Sequence, residues 1–83
     1  MPLFMDVHHV TGAVSVDDVA KAHVADLQTQ DRYDVHYQRY WVDEAHGKIF
    51  CLVDAPDAGA AAAVHQEAHG LVADEIYCVQ EGA

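Results

Sequence analysis

The chain has 83 residues, 52% of them hydrophobic, with 14 acidic against four basic side chains and a formal charge of −10. That length holds one domain, residues 1–83, whose core is small enough that pairing with a second copy is a common remedy; the charge repels nucleic acid and anionic lipid and attracts cations. No stretch approaches the roughly 20 apolar residues of a membrane span, and Met1-Pro2-Leu3-Phe4-Met5-Asp6 lacks the basic region and apolar run of a secretory signal, so a cytoplasmic homodimer with reduced Cys51 and Cys78 is expected.

From Leu3 to Val10, Leu3, Met5 and Val7 alternate with Phe4, Asp6 and His8 in the period of a strand. After a turn at Thr11-Gly12, Ser15 supplies a capping hydroxyl and Asp17 and Asp18 supply carboxylates at a helix start. Val16, Val19, Ala20, Val24 and Leu27 give that helix an apolar stripe, and it should run to about Gln30. Residues Val35 to Val42 and Lys48 to Val53 are β-rich and flank a turn at Glu44-Ala45-His46-Gly47, the pattern of a hairpin. Asp57 caps a second helix from about Ala58 to His69, Gly70 suits the left-handed position past its end, and Glu75 to Val79 forms the last strand.

The order β-α-β-β-α-β predicts an α+β, ferredoxin-like fold, a four-stranded antiparallel sheet with both helices on one face. Its usual strand order, 4-1-3-2, sets the third strand between the first and second. The uncovered face invites a second copy, which again favours a homodimer. Polarity suggests that Leu3, Met5 and Val7 face the helices, leaving Asp6 and His8 on the open side. Phe50 and Leu52 then form the core pair of their strand and Cys51 turns outward. His36, Gln38 and Tyr40 contrast with Val35, Tyr37 and Trp41, although Arg39 breaks the second set. His8, Cys51 and His36 would converge on the open face from three neighbouring strands.

Seven histidines make divalent metal ions the natural partner. His65 and His69 stand at i and i+4 on the second helix and can offer two imidazoles to one ion. They are the first candidate ligands, with Glu67 near enough to help electrostatically. His36 and His8 come second and Cys51 third. Imidazole, thiolate and carboxylate suit nickel, copper, cobalt and zinc alike, so residue types specify only a late first-row divalent ion. His23 lies in the first helix's stripe, with Asp26 placed to pair with it. His46 belongs to the hairpin turn, and His9 points to the sheet face opposite His8. A different reading, an enzyme of monooxygenase or isomerase type or a small-molecule binder using a cleft near Cys51, rests on fold analogy, because no nucleophile motif or phosphate loop occurs.

The run Phe50-Cys51-Leu52-Val53-Asp54-Ala55-Pro56, followed by Val64-His65-Gln66-Glu67-Ala68-His69-Gly70-Leu71-Val72-Ala73-Asp74-Glu75-Ile76, closely resembles the signature of a family of small bacterial proteins first catalogued as a domain of unknown function, which includes a nickel-binding protein. The similarity also takes in Ala22 to Leu27, Gln30 and Arg39 to Glu44, and so spans most of residues 3–82. The resemblance implies a ferredoxin-like homodimer that binds nickel(II) at its surface, for sequestration or detoxification, with no enzymatic activity assumed. His23, Asp26, Cys51, His65, Glu67 and His69 lie in the stretches that look like the family pattern; His8, His9, His36 and His46 lie outside them.

Overall fold

The computed structural model describes residues 1–83. Its elements are β1 (Leu3–His9), α1 (Val16–Thr29) with a 3₁₀ turn at Gln30–Tyr33, β2 (His36–Asp43), β3 (Lys48–Asp54), α2 (Ala58–Ala68) and β4 (Glu75–Val79). Local chemistry sets their ends. Ser15 Oγ accepts the Asp18 amide at 3.1 Å and Asp57 Oδ1 accepts the Ala60 amide at 2.8 Å, each satisfying a donor of a helix's first turn. At the far end of α2, Gly70 takes φ +79° and its amide reaches the His65 carbonyl at 2.9 Å.

All strand pairs are antiparallel, in the order β2-β3-β1-β4, which is the ferredoxin-like arrangement expected from the element order. The main core contains Phe4, Val19, Val35, Tyr37, Ile49, Cys51, Val53, Ala55, Ala61 and Val64. Fully burying a side chain such as Val53 or Val64 contributes on the order of 2 kcal/mol.

The assignment of sheet faces differs from the expectation. Phe4, Asp6 and His8 occupy the helix-covered face, opposite Val53, Cys51 and Ile49 of β3. Leu3, Met5, Trp41, Leu52 and Val79 instead line a shallow concavity on the other side of the sheet. Cys51 therefore points inward, while Phe50 and Leu52 are only partly buried. Alternation separates a strand's two sets of side chains but does not say which set meets the helices. Polarity misleads here because Asp6 and His8 are buried with partners.

Arg39's break in the β2 alternation has a structural cause. A bulge between Tyr37 and Arg39 slips the register by one residue, so Tyr37 pairs with Val53, Arg39 with Leu52, and Tyr40 with Cys51. Tyr37 faces the core before the bulge; Tyr40 and Val42 pack against it afterwards. The stripe on α1 also shifts: Val16, Val24 and Leu27 are exposed, whereas Val19 and Asp26 are buried. A carboxylate at position 26 turns inward because the interior contains its partner.

Candidate functional site

The site is built around His65, in the last turn of α2 and 2% exposed. Its ring bridges two carboxylates from separate elements. Nδ1 lies 2.9 Å from Asp26 Oδ1 of α1, and Nε2 lies 3.0 Å from Asp6 Oδ2 of β1. The Tyr37 hydroxyl has Asp6 Oδ2 and the Ala61 carbonyl within 3.0 Å for its one proton, and the Tyr37 ring stacks on His65 at 4.4 Å. His8 and His69 flank His65, with ring centroids 5.0 and 4.9 Å away.

Two polar atoms in this cluster remain incompletely satisfied. Asp6 Oδ1 is 3.2 Å from His8 Nε2, and His69 Nε2 is 3.0 Å from Asp26 Oδ1, but neither buried atom has a well-aligned hydrogen bond. The Leu71 amide donates to His69 Nδ1 at 3.1 Å, which places the proton of neutral His69 on Nε2.

Buried charge controls the protonation states. Burial favours neutral His65, but hydrogen bonds to Asp26 and Asp6 and the negative charge of both outweigh it and raise its pKa to about 9. Burial likewise opposes ionised Asp6, yet hydrogen bonds and charge from His65 and His8 hold its carboxyl far below the usual range. Desolvation and the neighbouring Asp6 push the Cys51 thiol and the Tyr37 hydroxyl well up. Burial lowers His69 despite the attraction of Asp26. At neutral pH the cluster thus holds an imidazolium hydrogen-bonded to both Asp6 and Asp26, beside a protonated thiol.

Two donor sets share His65. Asp6, His8, Cys51 and His65 each direct one ligand atom to a common region, as do Asp26, His65 and His69, and within each set these atoms lie within 4.8 Å of one another. A cavity of about 200 Å³ opens beside them, with His8, Asp26, Cys51, His65 and His69 at its polar end. Val10, Val14, Val19, Ile49 and Leu71 contribute apolar wall.

The candidate ligands divide accordingly. His65 and His69 do face one another, but as interior and half-buried groups instead of a solvated pair. His8 and Cys51 converge as expected, though on the covered face. His36 is exposed and pairs with Asp54 at the end of β3 remote from the His8–Ile49 pair, so it does not join them. Glu67 is drawn away by Arg32 and by Tyr33, whose hydroxyl donates to it at 3.1 Å.

His23 is half-buried beside the Tyr40 ring at 4.9 Å, and Asp26 serves His65 and His69 in its place. His9 meets Glu75, while His46 meets Asp43, both at the surface. Sequence reasoning missed Tyr37 and left Asp6 out of the ligand set. The signal for Asp6 was its spacing of two from His8 on one strand, which puts both on one face.

Fold and side-chain geometry together define a ferredoxin-like α+β protein with an interior histidine–carboxylate–thiol cluster. The chain belongs to the SCO4226-like family of nickel responsive proteins, whose family model matches residues 4–79. It is similar to SCO4226 from Streptomyces coelicolor A3(2), known from a crystal structure, with 41% identity, a TM-score of 0.90, and coverage of 98% of this chain and 99% of that one. No curated protein matches.

Proposed function

We propose that this protein binds nickel(II) as cargo and sequesters it, acting as a homodimer that carries out no reaction on the ion. The observation carrying this reading is the convergence of Asp6, His8, Cys51 and His65 in a chain of a nickel-responsive family. The donor chemistry fits a late first-row ion, since imidazole nitrogen, carboxylate oxygen and thiolate sulfur are ligands such ions accept. Asp6 Oδ1, buried without an aligned partner, is an acceptor that an ion would satisfy. Loading requires the His65 and Cys51 protons to leave, so uptake is a proton exchange. His69 and Asp26 form the second donor set on the same imidazole, with Asp26 beside Nδ1 while Asp6 of the first set lies beside Nε2.

The test is calorimetric titration of tag-free, chelator-treated protein with nickel and then zinc. Saturable binding at micromolar or tighter affinity is expected, weakened at least tenfold in His8→Ala/Cys51→Ser and unchanged in His36→Ala/His46→Ala. Full binding by the first variant together with loss in the second would move the cargo site to surface histidines.

A further inference from the structure

The cavity has a chemistry of its own beside ion binding, although it shares Asp26 with the second donor set. Its volume of about 200 Å³ exceeds the roughly 150 Å³ of an apolar cavity known to accept benzene, so it has room for a compact molecule with one polar group. Nine of its 15 lining residues are hydrophobic, and no lysine or arginine is among them. Two carboxylates are in its lining, the buried Asp26 and the exposed Asp18.

Asp26 is 3% exposed, and both its hydrogen bond to His65 and its approach to His69 fall on Oδ1. Oδ2 takes part in neither contact, and the residue lines the cavity. Tyr40, tilted against His23, adds an aromatic wall of the kind that attracts cations.

We propose that the cavity binds a small organic ammonium bearing a compact hydrophobic group, its N–H donated to Asp26 Oδ2 and its hydrocarbon packed against Val10, Val14, Val19 and Leu71. An alcohol of the same shape supplies the hydrogen bond without the charge. A carboxylate of similar shape meets repulsion. This inference goes beyond nickel sequestration and requires no bound metal.

The experiment is calorimetry and thermal denaturation of chelator-treated protein with 2-phenylethylamine, 2-phenylethanol and 3-phenylpropanoate. The amine should bind saturably and raise the melting temperature, with the alcohol and carboxylate at least tenfold weaker. Asp26→Asn should weaken the amine at least tenfold. Because Asp26 also holds His65, a second variant, Ala22→Leu, narrows the cavity from α1 at a lining position that belongs to neither donor set. It should lose amine binding while keeping its melting temperature and nickel stoichiometry. Alcohol binding as tight as amine binding, no amine binding at all, or undiminished amine binding by Ala22→Leu would overturn the proposal. Amine binding without nickel binding would sink the cargo reading alone, and nickel binding without amine binding would sink only this one.

Discussion

His65 joins the interior chemistry to stability. Its folded pKa of about 9 lies above the ordinary 6.5, so the stability it contributes is fully present below about pH 6.5 and is lost as pH rises through about 9. A rise of that size corresponds to about 3 kcal/mol. Asp6 and His69, both lowered, act in the opposite sense, giving stability that is lost as pH falls below their ordinary values. Metal-free protein should therefore lose urea resistance between pH 6.5 and 9.5, and His65→Gln should flatten that fall. Equal wild-type midpoints at the two pH values would refute the ion-paired histidine. Nickel affinity carries the same signature: an ion displacing the His65 proton should bind progressively more tightly between pH 6.5 and 9, and release of the raised Cys51 proton steepens the rise further; an affinity flat across that range would argue against the interior site.

At the scale of elements, caps, turns and periodicity placed every strand and helix within a residue or two, because those signals are local. The interior-facing sides were less legible. On β1 the polar set Asp6 and His8 turns inward toward a histidine 57 residues beyond His8, and no local pattern encodes that partnership. The β2 bulge left a trace at Arg39, but its register effect required β3. The β2–β3 turn shows how closely local geometry is held. Gly47 has φ +63°, and an added Cβ would lie 2.5 Å from the Val10 carbonyl oxygen. Its own carbonyl accepts the Val10 amide at 2.7 Å. Gly47→Ala should cost about 2 kcal/mol or more, read as a lower urea midpoint with unchanged slope. An unchanged midpoint would show that the turn relaxes freely.

Across the whole molecule, the two helices leave one sheet face without cover. Leu3, Met5, Leu52, Trp41 and Val79 border its concavity, and Trp41 is 48% exposed. Apolar surface of this kind supports the proposed homodimer by sheet-to-sheet packing. Leu52→Glu should give a monomer by light scattering while leaving the interior cluster intact, because Leu52 and Cys51 point to opposite faces. A dimer that persists in this variant would place the subunit contact elsewhere. No helix is long and apolar enough to cross a membrane.

By itself, the sequence determined the element order, the strand order expected of it, the helix caps and a histidine supply suited to transition metals. The similarity along residues 50–76 and beyond also led to the nickel-responsive family. Tertiary structure alone decided that His65 is enclosed, that Asp6 and Asp26 claim its two nitrogens, and that Cys51 joins the interior while His36 does not. The reason is physical: local propensity and alternation depend on neighbours a few residues apart, whereas burial of a polar group depends on whether the fold brings it a partner from elsewhere in the chain.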